Sequence, residues 1–413
     1  MSGVLGIIAE YNPFHQGHFY HLMESKKQSG CNYAIAVMSG NFMQRGEPAI
    51  VDKWSRAEMA VRSGVDLVIE LPTVYSISSA ENFAEGAIKV LDSLSIVDTF
   101  SFGSEVASLD VLNEFAEILY REPAEYISIL NHELSKGISY PKARENALLM
   151  YLNDIRRYAN VLSSPNNILG IEYLKAIKKL RSSMVPFTIE RLGPKHDELK
   201  IANNIASASY IRKILSRNKL QDTASLLPKP SFAILEDCSR KGNMVFSLST
   251  FEKEILYCLR KMSLEEIAAL PDVSEGLEHL IKESANSCNS VTELIAKIKT
   301  KRYTETRIRR ILLYTLLGIT KKEMLASRKI TPYIRVIALN ENGKKLLSDI
   351  AISNPKLPII TSVKRLMDTN SNKTLHTMLQ KDIFATNVYT LGYEYDSVAN
   401  LDYTHKLVTI QEE

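Results

Sequence analysis

The sequence predicts an α/β protein built around a parallel sheet, followed by a mainly helical region and a small α/β C-terminal portion. Through the first hundred residues, short apolar runs alternate with stretches of helical periodicity. This alternation is typical of a parallel sheet that helices cover on both faces. Of the 413 residues, 45% are hydrophobic and 24% are charged, which is the composition of a folded chain of two or three domains.

The elements of the first part follow one another with short links. Because a strand buried on both faces carries apolar residues without alternation, strands are predicted at residues 4–9, 33–38, 66–71 and 98–103. Helices are predicted at about 17–28, 53–62 and 81–94. The pattern is then helical to about 181, and it is followed by a strand at 185–192, a polar loop to about 204 and a basic helix at 207–217.

The pair Pro228 and Pro230 suggests a boundary, since prolines often separate structural units. We therefore predict an α/β domain at residues 1–225, a helical and basic region at 226–330, and a small α/β region at 331–413. Strands in the last region are expected at 333–339 and 357–361.

The chain shows no sign of a membrane or secreted protein. Its longest apolar run, about nine residues at 311–319, is far below the roughly 20 that a membrane-spanning helix needs. The first residues lack the basic segment of a signal peptide. The four cysteines form no Cys-x-x-Cys pair, so we expect a reducing cytoplasmic compartment.

The motif His15-Gln16-Gly17-His18 follows the first strand and opens the first helix. Ligands of open parallel sheets bind at the carboxyl ends of strands, and the free N–H groups of a helix N-terminus favour a phosphate there. Gly17 lets the backbone approach closely. The imidazoles can donate hydrogen bonds to oxygens that gain charge during displacement at phosphorus. We therefore predict that His15 and His18 are catalytic.

A metal site is the alternative for this segment, because His15, His18 and His21 are spaced by three. Only Glu10 is available nearby to complete a ligand set, and helical spacing of this kind also arises by chance. No metal ligand is therefore predicted.

A second motif, Ser207-Ala208-Ser209-Tyr210-Ile211-Arg212, opens the basic helix. Hydroxyl groups at a helix start and an arginine one turn later suit a triphosphate, although a lone serine there is usually a helix cap. The two motifs together resemble the HxGH nucleotidylyltransferases, which bind ATP and transfer AMP or form an adenylate. The resemblance implies a Rossmann-like nucleotidylyltransferase domain.

More of the chain resembles one family, the bacterial tRNA(Met) cytidine acetate ligases. The similar stretches are residues 10–18, 38–49, 66–72, 102–105, 164–167, 301–304 and 307–310. The resemblance implies that ATP, accompanied by Mg²⁺, and acetate form acetyl-adenylate. The acetyl group then passes to N4 of the wobble cytidine, position 34, of elongator tRNA(Met).

The same resemblance implies which residues bind ATP. Because Asn167 is next to Asn166, the asparagine in this set is ambiguous by one residue. Arg45 is a further candidate, since bringing the two anions acetate and ATP together requires positive charge. The implied residues are Ile8, Ala9, Glu10, Tyr11, Asn12, Pro13, Phe14, His15, Gln16, Gly17, His18, Phe19, Tyr20, His21, Gly103, Asn166, Arg191, Ser207, Ser209 and Arg212. The loop at residues 41–49 points toward the same sheet edge, and a purely structural Ω-loop is an equal alternative for it.

Residues 297–310 carry seven basic side chains and one acid, Glu305. A charge run is usually a solvated helix face. Beside an adenylating domain, binding to a tRNA backbone is the better interpretation. The predicted tRNA-binding residues are Lys301, Arg302, Arg307, Arg309 and Arg310, and Tyr303 is expected to be available for stacking on a base.

Two other functions stay open. The first is transfer of AMP to a small cofactor precursor, and the second is a non-catalytic RNA-binding protein on the same fold. The basic segment argues against the first, because a small-molecule enzyme has no use for it. The intact His15, His18, Ser209 and Arg212 argue against the second.

Overall fold

The structure is a computed structural model that describes residues 3–106, 108–158, 161–192, 205–274, 276–330, 332–369 and 371–411. Its strands are β1 Val4–Ala9, β2 Tyr33–Ser39, β3 Leu67–Leu71, β4 Thr99–Ser104, β5 Val185–Glu190, β6 Ile334–Leu339, β7 Ile359–Ile360 and β8 Val408–Thr409. The loop predicted to extend to residue 204 lies mostly outside the described residues.

The helices of the N-terminal half are α1 Gln16–Ser29, α2 Lys53–Arg62, α3 Thr73–Ser76, α4 Ala80–Ser93, α5 Leu109–Arg121, α6 Ala124–Ser135, α7 Tyr140–Leu152, α8 Ile155–Tyr158, α9 Pro165–Leu180 and α10 Ala208–Leu215. Those that follow are α11 Lys229–Arg240, α12 Glu252–Lys261, α13 Leu264–Ala268, α14 Leu277–Ser287, α15 Val291–Ile298, α16 Glu305–Leu317, α17 Lys321–Arg328, α18 Glu341–Ser353, α19 Val363–Thr369, α20 Lys373–Tyr389 and α21 Leu401–Thr404. Short 3₁₀ turns cover Leu220–Leu226, Leu248–Phe251 and Thr390–Gly392.

One sheet holds all the strands named above, in the order β5-β4-β1-β2-β3-β6-β7, with β8 beside β6. Strands β1 to β5 are mutually parallel. The predicted α/β fold is therefore confirmed, and the strands predicted in the first hundred residues match β1 to β4 within one residue at each end. These strands form because their apolar runs are covered by helices on both faces of the sheet.

The C-terminal strands extend this same sheet. Strand β6 pairs antiparallel to β3, with Leu67 opposite Leu339 and Glu70 opposite Arg335. All six residues of β6 are buried, so this strand needs cover on both faces, which a place inside the large sheet supplies. The sequence predicts the strand but not its partner, and the domain boundaries at 225/226 and 330/331 stay predictions.

A buried ion network attaches the C-terminal segment to the sheet. The Lys53 Nζ lies 3.0 Å from Glu70 Oε1 and 2.7 Å from Asp402 Oδ1. Arg335 pairs with the same two carboxylates. Two cations thus balance two carboxylates, which matters because an uncompensated buried charge is strongly destabilising.

The proline pair that suggested a boundary lies at the start of a helix. Pro228 precedes α11 and Pro230 lies in its first turn, where a missing N–H group and a fixed φ are tolerated. The proline pair therefore starts a helix. Within the described ranges, none of the helices has the length and apolar character needed to cross a membrane.

Candidate active site

A cavity of about 740 Å³ opens at the carboxyl end of β1. Strand β1 lies between β4 and β2, so residues that follow these three strands meet at one edge of the sheet. Among the residues implied to bind ATP, those that line the cavity are Ile8, Ala9, Glu10, Tyr11, Asn12, His15, Gly17, His18, Tyr20, His21, Gly103, Asn166, Arg191, Ser207, Ser209 and Arg212.

Four residues implied by the resemblance lie outside the cavity lining: Pro13, Phe14, Gln16 and Phe19. The Phe14 side chain is fully buried and belongs to the core under α1 and α2. Phe19 is exposed on the outer face of α1. A contiguous stretch that spans a strand end and a helix start necessarily turns some side chains away from a ligand, because helical side chains point in successive directions.

The two motif histidines are held by the backbone at the start of α1. His15 is the N-cap residue, and its Nδ1 accepts the Gly17 N–H at 3.0 Å. The His18 Nδ1 accepts the His15 N–H at 3.3 Å. The rings stack with centroids 3.8 Å apart. Because Nδ1 is the acceptor in each neutral ring, each ring carries its proton on Nε2.

Burial keeps these histidines neutral. It lowers the pKa of His15 to about 3, with the charges of Arg191 and Arg212 acting in the same direction. Burial likewise holds the pKa of His18 well below its usual value, and a hydrogen bond with the Pro13 backbone acts weakly against it. The pKa of His21 falls to about 4, again chiefly through burial. A neutral imidazole can still donate a hydrogen bond through its N–H group, without carrying a positive charge.

Gly17 is required for space. A Cβ there would lie 2.9 Å from Cε1 of the His15 ring and 3.5 Å from the Ile205 side chain. Any side chain would therefore push the cap away from its place. The packing of the motif thus needs a glycine here, and the expected close approach of the backbone to a phosphate stays a prediction.

The second motif adjoins the first in the wall of the cavity. Ser207 caps α10 by accepting the Tyr210 N–H at 3.2 Å, and its hydroxyl lies 3.0 Å from that of Ser209. The Arg212 Nη1 donates to the Asn12 carbonyl oxygen at 2.8 Å. Burial lowers the pKa of both Arg212 and Arg191. Two guanidinium groups that have lost hydration water thus face the cavity, which suits an anionic ligand.

Gly103, Asn166 and Arg191 lie on the β4–β5 side of the cavity. Asn166 Nδ2 donates to Glu105 Oε1 at 2.6 Å, and Arg191 Nε lies 3.8 Å from the same oxygen. A Cβ at Gly103 would come 3.2 Å from the Arg191 Cγ. The glycine therefore leaves room for this arginine beside the nucleotide motif.

A buried arginine that the sequence analysis missed holds the strand ends together. Arg56 of α2 donates to the carbonyl oxygens of Glu10 at 2.7 Å, Ser39 at 3.1 Å and Val51 at 3.1 Å, and also to that of Gly40. Its side chain is fully buried. Arg56 thereby fixes the loops after β1 and β2 relative to each other. Nothing local in the sequence marks this role, because its partners lie in three separate segments.

The 41–49 loop forms the β2 side of the cavity. Its turn is closed by the Met43 N–H to the Glu47 carbonyl at 2.8 Å and by the Ala49 N–H to the Asn41 carbonyl at 2.9 Å. Met43, Gln44, Arg45, Glu47 and Pro48 all line the cavity. The loop is therefore both a compact turn and a wall of the site.

The predicted tRNA-binding residues occupy different positions around α16. Arg309 lines the cavity and pairs with Glu47 and with Glu305. Arg307 donates to the Asp272 carbonyl and the Ser274 hydroxyl, each at 2.8 Å. Arg310 Nε lies 2.9 Å from Asp272 Oδ2. That these arginines bind tRNA stays a prediction.

Lys301 and Arg302 are exposed and precede α16, which begins at Glu305. The expectation that Tyr303 is available to stack on a base is wrong. Its ring is only 9% exposed and is covered by the Arg307 guanidinium at 5.2 Å. The cause is tertiary, since Tyr303 packs into the core of the helical region.

In the part of the chain that the structure describes, no group of three or more His, Cys, Asp or Glu residues is arranged to hold a metal ion. Mg²⁺ commonly binds through substrate phosphates, water and one or two carboxylates. Glu10 lines the cavity beside the motif, and its Oε1 accepts the Gln44 N–H at 2.7 Å. The position of the Glu10 carboxylate beside the motif fits a Mg²⁺ ion that arrives with the phosphates.

Comparison with known proteins gives the same family as the resemblance noted in the sequence. The HIGH Nucleotidyl Transferase family matches residues 2–403. The chain is 48% identical to the tRNA(Met) cytidine acetate ligase of Thermoanaerobacter pseudethanolicus over 409 residues, which are 99% of this chain and 100% of the relative. It is 46% identical over 406 residues to the ligase of the same name from Caldanaerobacter subterraneus subsp. tengcongensis, covering 98% and 99% of the two chains.

Two crystal structures of Thermotoga maritima TmcAL, each 33% identical in sequence, cover 99% of this chain and are themselves covered completely. The apo form gives a TM-score of 0.95, and the form bound with alpha-thio ATP gives 0.91. Similarity of sequence and fold thus extends over the whole described chain. The protein belongs to the tRNA(Met) cytidine acetate ligase family, within the HIGH nucleotidyl transferases.

Proposed function

We propose that the protein is an ATP-dependent ligase that acetylates N4 of the wobble cytidine, position 34, of elongator tRNA(Met). The first step joins acetate to the α-phosphate of ATP and releases pyrophosphate. The second step transfers the acetyl group from acetyl-adenylate to the cytidine amine and releases AMP. Family membership supports the overall reaction, and the cavity at the end of β1 supports the location of the chemistry.

The observation that carries the proposal is the pair His15 and His18. The His15 Nδ1 is occupied by a backbone N–H, so this ring offers only its Nε2–H to a ligand. The His18 Nδ1 also accepts a backbone N–H, and the ring makes a further hydrogen bond with the Pro13 backbone. A fixed donor is most useful where charge develops, here on the oxygens of the α-phosphate and on the departing pyrophosphate. Fixed donors need no reorganisation as the reaction proceeds.

The first step requires positive charge more than a base. Acetate is already ionised, so no proton has to be removed from it. The obstacle is repulsion between acetate and a triphosphate. Arg191 and Arg212 line the same cavity as the histidines, and Arg45 lies close enough to Arg212 to affect the pKa of that guanidinium. These three cations are placed to offset that repulsion.

The second step requires the anticodon to reach the cavity. The N4 amine attacks the carbonyl carbon of acetyl-adenylate, the bond to the phosphate oxygen breaks, and one amine proton is lost. The exposed Lys301 and Arg302 lie just before α16, whose Arg309 is on the cavity wall. This arrangement supports the predicted binding of the tRNA backbone next to the reaction site.

Mg²⁺ supplies charge neutralisation of the triphosphate when it is bound. Glu10 is the protein carboxylate we assign to it, and the other ligands are expected from phosphate and water. We also propose a cytoplasmic location, because the substrate tRNA is found there and the cysteines form no disulfide among the described residues.

The test is acetate-dependent exchange of pyrophosphate into ATP, followed by analysis of the tRNA product. We expect exchange with acetate and little with propionate or formate, and N4-acetylcytidine only when elongator tRNA(Met) is added. Exchange that needs a nucleotide-like acceptor instead of a carboxylate would favour AMP transfer to a small precursor. Binding of tRNA with neither exchange nor acetylation would favour a non-catalytic RNA-binding protein.

A further inference from the structure

The cavity has a second end that neither motif accounts for. The residues implied to bind ATP lie at or after the ends of β1, β4 and β5, in α1, or at the start of α9 and α10. On the opposite side of β1, the cavity wall is formed by the 41–49 loop, by Phe246 and Ser247, and by the first turns of α16. A volume of about 740 Å³ is in the upper part of the range of roughly 300–1,000 Å³ that small-molecule sites occupy. The cavity therefore has room beyond the nucleotide.

Phe246 is the unusual residue at this second end. Its side chain is 41% exposed, whereas the lining residues Tyr11, Phe83, Phe102 and Tyr173 are at most 5% exposed. No aromatic ring of the described chain stacks on it. An apolar ring left facing a cavity is unfavourable in water, so a ligand that covers it would gain that burial.

The ring is held in this exposed place by anchors on both sides. The Val245 N–H donates to the Ile50 carbonyl at 3.0 Å, and the Leu248 N–H donates to Glu47 Oε2 at 3.1 Å. The side chains of Val245 and Leu248 are buried in the core. The segment therefore cannot turn to bury Phe246 without breaking these contacts, and the ring is a preorganised surface.

Polar side chains line the same end of the cavity as the ring. Glu47 pairs with Arg309, whose side chain is 30% exposed, while the Nε of Arg309 is buried and has no hydrogen-bond partner among the described residues. Ser247 and Thr306 also line this end. One flat apolar surface with an arginine donor and hydroxyl groups at its edge suits a nucleobase, because a base offers a π-face for stacking and ring acceptors for hydrogen bonds.

We propose that Phe246 and Arg309 form the subsite that receives the acceptor cytosine, which leaves the anticodon stack and lies against the Phe246 ring. This inference rests on the proposed function. With the phosphates assigned to the two motifs and the rest of the nucleotide to the β4–β5 side, as the residues implied to bind ATP suggest, the acetyl end of the adenylate would face β2. The base that attacks it must enter from that side, where Phe246 and Arg309 are.

The test compares the two half-reactions in Phe246→Ala, Phe246→Leu and Phe246→Tyr. Base–aromatic stacking is lost with the ring, so kcat/KM for tRNA should fall roughly 5- to 150-fold in the alanine and leucine variants. Acetate-dependent pyrophosphate exchange should fall by a much smaller factor, and tyrosine should restore acetyl transfer to near the parent rate. Tyr257→Ala removes an aromatic ring that is 65% exposed on α12, outside the cavity, and should alter neither reaction.

An independent readout uses tRNA with pyrrolo-cytosine at position 34. Its fluorescence should change when the parent protein binds and should not change with Phe246→Leu. Equal losses in both half-reactions would mean that the Phe246 ring contacts the nucleotide or stabilises the fold, and would overturn the subsite. Normal acetyl transfer in Phe246→Ala would also overturn it. A parent protein that shows neither half-reaction would instead overturn the proposed function, and this inference with it.

Discussion

Asn166 and Asn167 are adjacent in the first turn of α9, but only the first lines the cavity and the second is buried. Asn166 lines the cavity and donates to Glu105 Oε1 at 2.6 Å. Asn167 is fully buried, and its Oδ1 accepts the N–H groups of Glu105 at 2.9 Å and Val106 at 3.2 Å. Its Nδ2 donates to the Val161 carbonyl at 3.0 Å. The geometry favours Asn166 as the ATP-binding member of the pair.

Substitution of the two asparagines should therefore have different effects. Asn167→Ala leaves buried backbone groups without partners and should lower the free energy of unfolding by about 2–4 kcal/mol. Asn166→Ala should change stability by less than about 1 kcal/mol and weaken ATP binding. Urea unfolding and calorimetric titration with ATP measure the two quantities. Loss of ATP affinity only in a well-folded Asn167→Ala variant would reverse the assignment.

Replacing either motif histidine should slow adenylate formation by about 10²-fold or more, the usual effect of losing one fixed donor to a transition state. Because His15 also caps α1, His15→Ala removes a cap worth about 1 kcal/mol as well. His15→Asn is the matched variant, since asparagine is a good N-cap residue. Pyrophosphate exchange is the measurement, with melting curves as the control. Near-normal exchange in His15→Asn or His18→Ala would show that the histidines are structural.

Stability should fall as the pH drops below about 6.5. The pKa of His15 is about 3 and that of His21 about 4 in the folded protein. Between these pKa values and about pH 6.5, the histidines of the unfolded chain bind protons that those of the folded chain do not. Each such histidine therefore lowers the free energy of unfolding by up to about 1.4 kcal/mol per pH unit as the pH falls. Above about pH 6.5 these histidines are neutral in both the folded and the unfolded chain, so they no longer lower the free energy of unfolding.

The check for this pH dependence is urea unfolding of the parent and of His15→Asn between about pH 7 and pH 5. Carboxyl groups titrate alike in both proteins, so the difference isolates His15. The variant should lose less stability over this range. Parallel curves for the two proteins would mean that His15 is protonated freely in the folded state.

The arginines of α16 should not behave as a free RNA-binding surface. Arg307, Arg309 and Arg310 each have intramolecular partners. The triple alanine variant should therefore lose stability, and it should also impair acetyl transfer because Arg309 is on the cavity wall at the proposed acceptor subsite. Unchanged melting and unchanged acetyl transfer in that variant would contradict this.

The exposed pair Lys301 and Arg302 gives a cleaner test of tRNA binding. Removing both should make the logarithmic dependence of tRNA affinity on salt shallower by about 1–2, because fewer counterions are released. The protein should stay folded and keep its pyrophosphate exchange. Lys356→Ala removes another exposed lysine and is the control. An identical salt slope in the parent and the double variant would place the tRNA backbone elsewhere.

Gly46 should be required for contact between the 41–49 loop and α16. Its φ is +80°, and a Cβ there would lie 2.5 Å from the Arg309 Cβ and 2.7 Å from the Arg310 nitrogen. Gly46→Ala should therefore displace the loop and slow acetyl transfer. Gly30→Ala, also at positive φ but with open space around it, controls for backbone strain alone. Equal effects of Gly46→Ala and Gly30→Ala on acetyl transfer would show that the contact between the 41–49 loop and α16 is not what requires Gly46.

Local sequence was sufficient for much of this fold. Apolar runs predicted β1 to β4 because a doubly covered strand needs apolar residues throughout. The position of His15 and His18 was also readable, since a strand end, a capping residue and a glycine lie within a few residues of each other. The family resemblance then implied ATP and tRNA, and the comparisons support the same family.

Other features depended on segments that are distant in the chain. Strand β6 joins β3, Glu47 meets Arg309, and Tyr303 turns into the core. A single sequence carries little trace of such pairings, because each one results from packing of the whole chain. The sequence by itself determined the elements and the nucleotide motifs, which depend on short-range periodicity and caps. Only the tertiary structure decided which of two adjacent asparagines faces the cavity and which ring lines its far end, because these depend on how helices pack over the sheet.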